Sequence, residues 1–395
     1  MKVKKVVYVR YFRLTKAIYR DFYFEELIQN EIQVEYLDVT DIFFKSDFSS
    51  NLFDFKGTVR ISSYKELEAY LKRQFNDNTL YISIMTFDSM VFKLFRMFTK
   101  HNLELGVFAR GVFPNISMDF DKSKILRKIK TLSFINVRQL IANKFTVLAK
   151  KFRFIKTYDI IFKAGDLGYY GLGIGSNVDI INSKTIEINT VDYDLFLVQK
   201  KKSSNYKEEF IVFLDQYLPY HPDAHYFKIK TVKPEPYFEE VNGFFERLEL
   251  ETGKKVIIAA HPKADLYREL NPYNKRTIFF NQSNELVKDA FLVLTHASTA
   301  LCFPICYQKK IILLESDYIN NVLPQFTILA KAISQACGAP IIAMDKDCSI
   351  RIPDKIDFEK YEDFKYKYLT SKESENKYSK DIFIDFISNS FLVNN

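Results

Sequence analysis

The 395-residue chain has no tryptophan, only 11 glycines and 11 prolines, five histidines and four cysteines. Hydrophobic residues make up 47% and charged residues 27%, which excludes a disordered chain, a collagen and a coiled-coil rod. No apolar run reaches the roughly 18 residues that a membrane-spanning helix needs, and the apolar run after the basic N-terminus is too short for a signal peptide. We therefore expect a large globular protein, long enough for two domains.

Metal-ligand spacing is also missing. The four cysteines form no CxxC pair, and His221 and His225 are too few to complete a zinc site. In a chain of this length such cysteines predict reduced thiols in a cytosolic protein. The run Asp192-Tyr-Asp194 has the spacing of a metal-binding acidic pair but leads into a polar segment, and the GxSxG of a serine hydrolase is absent. The sequence therefore predicts no metal site.

Short β-branched runs alternate with helical stretches along the chain. One series extends from Lys5–Arg10 to Lys184–Asn189, and a second from Phe210–Leu214 to Lys310–Glu315. This alternation predicts parallel sheets, and the polar run 199–205 separates the two series. We therefore predict an α/β protein of two doubly wound Rossmann-like domains facing a central cleft. The predicted domains are 1–200 and 205–350, and a helical tail, 354–395, is expected to pack back on the first domain.

A basic amphipathic insert lies at 122–156. It holds eleven basic residues and no acidic one, so it carries +11 while the rest of the chain sums to −3. Apolar residues recur through it at helical spacing, which predicts two helices. Three interpretations remain open: docking on an anionic membrane surface, a solvated helix face over a core, and nucleic-acid binding. No nucleic-acid-binding motif occurs elsewhere, so nucleic acid is not expected as a partner.

Residues that follow the predicted strands are the candidate site, because ligands of open α/β sheets bind beyond the carboxyl ends of the strands. His261 and Lys263, in a His-Pro-Lys run after one strand, can donate to a phosphate. Ser298 and Thr299 open a helix after another strand, where hydroxyls and backbone N–H groups bind anions. The structural alternatives are a turn histidine at 261 and ordinary N-capping at 298 and 299.

Two carboxylates are candidates for the reacting group. Asp215 ends the first strand of the second series, where it could accept a proton or attack carbon; alternatively it caps the following turn. Asp166 stands in a glycine cluster that includes Gly165 and follows another predicted strand. That cluster fits a loop that approaches a ligand closely, or a surface turn. Arg110 follows a strand as well, where it could pair with a ligand carboxylate or form a structural salt bridge.

The order of these motifs resembles a known family. His-Pro after one strand, and Ser-Thr after the next but one, is the donor-site pattern of bacterial glycosyltransferases with a sialyltransferase-like variant of the GT-B fold. The stretch 293–315 also resembles the wider GT-B pattern, and the resemblance covers residues 205–320. It implies that His261 and Pro262 hold the phosphate and ribose of a CMP-activated donor, with Ser298 and Thr299 on the phosphate's other side. It also implies that Glu315 contacts the ribose or cytosine, although a surface cap is equally compatible with its position.

The resemblance implies a function. The protein would transfer a ulosonic acid, Kdo or a nonulosonic acid, from a CMP-activated donor to a bacterial surface-polysaccharide acceptor, a glycan or lipid-linked glycan. The donor is a substrate, no cofactor or metal is expected, and the protein would act in the cytoplasm on the inner face of the membrane. The family's acidic motif ending in glycine is missing, which leaves inversion or retention open, with retention favoured. The alternatives are a GT-B transferase using a UDP-sugar or CDP-glycerol, and a non-catalytic polysaccharide-assembly protein.

Overall fold

The structure is a computed structural model that describes residues 3–44, 52–73, 78–114, 134–203, 206, 208–221, 230–346 and 349–389. Of the basic insert, 122–133 lies outside the described residues, as do His225 and Cys348, and the side chains are described from residue 141 onward. The chain divides into two compact units. Unit 1 holds Met1–Val112, Asp121–Val191 and Thr370–Asn395, and unit 2 holds Phe113–Phe120 and Asp192–Leu369.

The described part of unit 1 contains a seven-stranded sheet in which every neighbouring pair is parallel, in the order β3-β2-β1-β4-β5-β6-β7. The strands are β1 Lys5–Arg10, β2 Gln33–Asp38, β3 Thr58–Arg60, β4 Thr79–Ser83, β5 Glu104–Ala109, β6 Ile160–Ala164 and β7 Lys184–Ile188. The central strands are almost continuously buried, as expected when helices cover both faces of a parallel sheet.

Most described helices of unit 1 lie between these strands in the chain, and one more comes from near the C-terminus. They are α1 Lys16–Asp21, α2 Phe24–Gln29, α3 Thr40–Phe43, α4 Tyr64–Arg73, α5 Phe92–Lys100, α6 Phe134–Lys151, α7 Ser176–Asn182 and, near the end of the chain, Ser379–Asn389. In the last helix Phe383 is buried against Phe108 and Phe162 of the sheet. Nearby, the Asn189 side chain accepts from the Thr370 hydroxyl and donates to the Lys377 carbonyl.

Unit 2 repeats the plan in its described residues, with six parallel strands in the order β10-β9-β8-β11-β12-β13. The strands are β8 Ile211–Leu214, β9 Val256–Ala260, β10 Ile278–Phe280, β11 Leu292–Thr295, β12 Lys310–Glu315 and β13 Ile341–Ala343. The helices are α8 Val191–Gln199, α9 Pro234–Thr252, α10 Ser283–Asp289, α11 Cys302–Cys306, α12 Asp317–Val322, α13 Pro324–Cys337 and α14 Phe358–Phe364. The C-terminal helix Ser379–Asn389 is α15.

In each sheet the first strands of the unit are added toward one edge and the later strands toward the other edge, so the order of connection switches beside the first strand. This switch is the Rossmann-like pattern. The predicted α/β class with two doubly wound Rossmann-like domains is therefore confirmed. Among the described residues, no helix is both long enough and apolar enough to cross a membrane.

Several local predictions are wrong. The single helix expected from Thr15 to Gln29 breaks at Tyr23, whose φ of 62° is left-handed. The helix that Ser298 and Thr299 are expected to open is present, but it begins as a 3₁₀ turn, Thr299–Leu301, and continues as the five-residue α11. No strand was predicted at β3 or β13, which have three residues each and lie at sheet edges.

Candidate functional site

A cavity of about 310 Å³ lies in unit 2, lined by residues that follow the carboxyl ends of β8, β9 and β11. These strands are neighbours in the sheet, so the segments after them meet at one edge, as the sequence predicted. The lining comprises Gln216, Leu218, His221, Lys230, Thr231, His261, Ala297, Ser298, Thr299, Leu323, Gln325 and Phe326. His261, Ser298 and Thr299 are therefore brought together.

His261 follows β9 and is held by its own turn. Its Nδ1 accepts a hydrogen bond from the Lys263 backbone N–H at 3.2 Å. An accepting Nδ1 leaves the proton of the neutral ring on Nε2. The Nε2–H is therefore the group of this ring that can donate to an anion in the cavity.

His221 is a second histidine of the cavity, and the sequence argument missed it. Its ring lies 4.9 Å from the His261 ring, centroid to centroid, at an interplanar angle of 63°. The two histidines are 40 residues apart in the sequence, which places His221 among the residues after β8 but does not assign it to the phosphate site. The signal was in the sequence, because His221 is followed by proline, as His261 is.

The Ser298 turn is fixed from two sides. The Ser298 hydroxyl accepts from the Ala300 N–H at 3.2 Å, which is the expected N-cap. Gln216, after β8, accepts from the Ala297 N–H through its Oε1 at 2.7 Å. The 3₁₀ turn and α11 that follow are short, so a helix dipole would contribute little to anion binding here. Anion binding in this cavity would therefore depend mainly on the side chains that line it.

His296, beside this turn, has a structural role. Its Nδ1 donates to the Leu314 carbonyl at 2.8 Å, and its Nε2 accepts from the Tyr237 hydroxyl at 3.1 Å. Burial lowers the pKa of His296 to about 4, so the ring is neutral near pH 7. It ties the end of β11 to β12 and α9.

Asp215 lies beneath the cavity and does not line it. The side chain is only 4% exposed, and its Oδ1 accepts from the Tyr273 hydroxyl at 2.8 Å. Burial raises the pKa of Asp215 to about 6, while Tyr273 and the backbone N–H groups of Tyr217 and His261 lower it. Its Oδ2 is buried and has no hydrogen-bond partner among the described residues, so the carboxylate is enclosed beneath the turns that carry His221 and His261.

The remaining donor-site candidates of unit 2 stand apart from the cavity. Pro262 and Lys263 are exposed and are not among the described residues that line it. Glu315 ends β12, two residues beyond Leu313, which pairs with Thr295. This register places Glu315 level with Ala297 at the same edge of the sheet. Its Oε2 is buried and has no hydrogen-bond partner among the described residues.

Arg110, Gly165 and Asp166 belong to unit 1. The Arg110 guanidinium donates to the Tyr23 hydroxyl and the Asp21 carbonyl and stacks on Phe22 and Phe108, and it forms no salt bridge with any described residue. Asp166 is exposed and lines a separate concavity of unit 1, with Lys163 and Glu187.

Backbone geometry explains two glycines of the cluster. Gly165 has a φ of 70°, a left-handed conformation that favours glycine. Gly173 has a φ of 89°, and a Cβ there would lie 2.3 Å from the Phe87 carbonyl oxygen. Close approach of two chain segments therefore accounts for Gly173 without a ligand.

The electrostatic character of the cavity is basic. Two histidines, Lys230 and three hydroxyl side chains line it, and no carboxylate is among the described lining residues. Such a set suits a phosphate, which accepts hydrogen bonds at every oxygen. The described residues contain no cluster of metal-ligating side chains.

No protein-family model and no curated protein matches this chain. Similar solved structures include UDP-GlcNAc 2-epimerase from Methanocaldococcus jannaschii in complex with UDP-GlcNAc and UDP, at 13% identity and a TM-score of 0.45, covering 99% of this chain and 100% of that one. The glycotransferase of kitacinnamycin is 8% identical with a TM-score of 0.46, covering 98% of each chain. The wall teichoic acid polymerase TagF with CDPG is 9% identical with a TM-score of 0.40, covering 99% of this chain and 85% of that one.

Proposed function

We propose that this chain is a glycosyltransferase that takes its transferred group from a nucleotide-activated donor and binds the donor phosphate in the unit 2 cavity. One observation carries the proposal: His221 and His261 meet edge to face in a cavity that also presents Lys230, Ser298 and Thr299 and no described carboxylate. These groups converge at the carboxyl edge of a doubly wound sheet, where such sheets bind ligands.

The proposed chemistry follows from charge. When the bond between the donor carbon and the phosphate oxygen breaks, the leaving phosphate gains negative charge. Donors already aimed at that oxygen lower the barrier, because they do not have to reorganise as the charge develops. The His261 Nε2–H, the His221 ring and the Lys230 ammonium supply these donors. The bond electrons leave with the nucleotide, and the acceptor hydroxyl forms the new bond and loses its proton to a base.

The cavity favours a donor with two phosphates, such as a UDP-sugar or CDP-glycerol. Two rings and Lys230 line it, and a diphosphate offers each of them an anionic oxygen. A CMP-activated ulosonic acid is the finer alternative suggested by the His-Pro and Ser-Thr motifs. It carries one phosphate, and its separate carboxylate would need another basic partner.

The experiment is a thermal-shift panel of UDP, CDP, GDP and CMP at equal concentration. We expect a nucleoside diphosphate to raise the melting temperature most, because about 100-fold saturation of a site stabilises the folded state by roughly 2.7 kcal/mol. A larger shift with CMP would favour the ulosonate donor. Binding of none of the four would contradict the proposal and favour a non-catalytic assembly protein.

We propose that buried Asp215 is a positioning residue for the His261 turn. Asp215→Asn should raise the KM for the donor and lower kcat less than about tenfold, with an unchanged pH profile. Steady-state kinetics of the variant test this role. A fall in kcat of at least about 100-fold with an unchanged KM would make Asp215 the base. Asp166, the other candidate carboxylate, is exposed in unit 1, and Asp166→Asn tests it in the same assay.

A further inference from the structure

The described part of helix α6 turns a stripe of apolar side chains away from the protein. Ile141, Phe145 and Leu148 of the helix, with Phe152 directly after it, recur at helical spacing and are 63%, 65%, 48% and 66% exposed. Phe154, just beyond the helix, is 71% exposed. An ordinary surface helix would bury this stripe against the core, so the solvated-face interpretation of the basic insert fails for the described part of α6. Exposed apolar surface on this scale marks an interaction site.

The inward face of α6 is fixed by a buried ion pair. Thr146, Ala149 and Lys150 are buried. The Lys150 ammonium lies 2.6 Å from the Asp179 carboxylate of α7, with both side chains 0% exposed, and 3.8 Å from the Phe87 ring centroid. Rotating the helix to bury the apolar stripe would pull this ammonium from its partner. The outward stripe is therefore part of the native packing of unit 1.

Basic side chains frame the stripe. Lys144, Lys151 and Arg153 are exposed within or next to it. On the neighbouring helix α5, Lys93, Arg96 and Lys100 line a concavity together with Phe154.

Two acidic groups nearby are already paired. Glu68 lines the same concavity and is bound by Lys100 at 2.7 Å and by His101 at 3.2 Å. Asp159 is paired with Lys156 at 2.8 Å. Residues 141–156 contain no acidic residue. The surface around the stripe is therefore basic.

We propose that this surface, formed by the outward stripe of α6, Phe154 and the basic residues of α5 and α6, docks on an anionic lipid bilayer. The apolar side chains would enter the boundary between headgroups and acyl chains, and the basic side chains would contact lipid phosphates. An apolar stripe framed by lysine and arginine fits a bilayer better than nucleic acid, which offers no apolar layer. This inference is independent of the proposed transferase activity.

The test is co-sedimentation of the full chain with vesicles of phosphatidylcholine and phosphatidylglycerol in equal amounts, and with vesicles of phosphatidylcholine alone. We expect binding to the mixed vesicles that weakens as salt rises. Ile141→Ser combined with Phe152→Ser should lower partitioning at least about tenfold, because each native side chain would bury several methylene-sized groups in the bilayer. Lys144→Glu combined with Lys151→Glu should lower it by a similar factor.

Matched controls lie in unit 2. Leu250 is 86% exposed on α9, and Leu250→Ser should leave partitioning unchanged, as should Lys331→Glu at an exposed site on α13. Thermal unfolding of each variant checks the fold. Equal binding to both vesicle types, or binding that the α6 variants leave intact, would overturn the proposal. So would a dimer, measured by light scattering, that only the Ile141/Phe152 variant dissociates, because the surface would then be an interface between two copies.

Discussion

Replacing His261 with alanine is expected to lower turnover at least about 100-fold while leaving the melting temperature of the ligand-free protein almost unchanged. The imidazole is partly exposed and lines the cavity, so its loss removes a donor to the leaving phosphate without opening the core. Loss of one preorganised donor of this kind costs about 2.7–4 kcal/mol in the transition state. Initial rates with a nucleotide-activated donor measure the effect, and nucleotide affinity should fall in parallel.

Lys263 provides the matched control for this variant. It lies two residues away, is exposed and is not among the described residues that line the cavity. Lys263→Ala keeps the backbone N–H that bonds to His261 Nδ1, so activity should stay within a few-fold. His221→Ala should resemble His261→Ala. Full activity in both histidine variants would show that the two rings only support the turns.

Breaking the buried ion pair of unit 1 is expected to give the largest change in stability. Asp179→Asn would leave the Lys150 ammonium buried without a counter-charge, which typically costs about 3–5 kcal/mol. Burial already lowers the pKa of Lys150, and Asp179 opposes that shift, so the variant lysine would lose its proton more readily. Urea or thermal unfolding of the variant measures the change.

A double variant separates pairing from packing. Lys150→Met together with Asp179→Leu removes both charges and should recover much of the lost stability, because apolar residues of similar volume can replace a buried pair. Glu209→Gln breaks an exposed pair with Lys254 and should change stability little. If Asp179→Asn were as mild as Glu209→Gln, the pair would not be what holds the inward face of α6.

The sequence was a good guide to the sheets and a poor one to the faces of helices. Alternating buried strands and helices predict two parallel sheets wherever the runs are long, as at β1 and β12. The period of apolar residues in α6 is the same whether that face points inward or outward. Asp179 pairs with Lys150 and so decides which face of α6 points inward. It lies 29 residues beyond Lys150, and no local sequence pattern connects the two.

Only part of the candidate site could be predicted from the sequence, and the reasons are similar. The positions of His261 and Ser298 after strands follow from local pattern, and the parallel sheet brings them together. His221 lies seven residues past the end of β8, so only the three-dimensional path of the chain returns it to the His261 ring. The burial of Asp215 depends on Tyr273, 58 residues away. A carboxylate at a strand end looks the same in sequence whether it faces a ligand or supports a turn.

The most direct measurement is a crystal structure of the chain soaked with CDP or UDP. We expect density for the nucleotide in the unit 2 cavity, with phosphate oxygens within hydrogen-bond distance of His261 Nε2 and of the Ser298 or Thr299 hydroxyl. Crystals of His261→Ala soaked in the same way should show weaker density. Nucleotide density elsewhere in the chain, with the unit 2 cavity empty at saturating concentration, would contradict it.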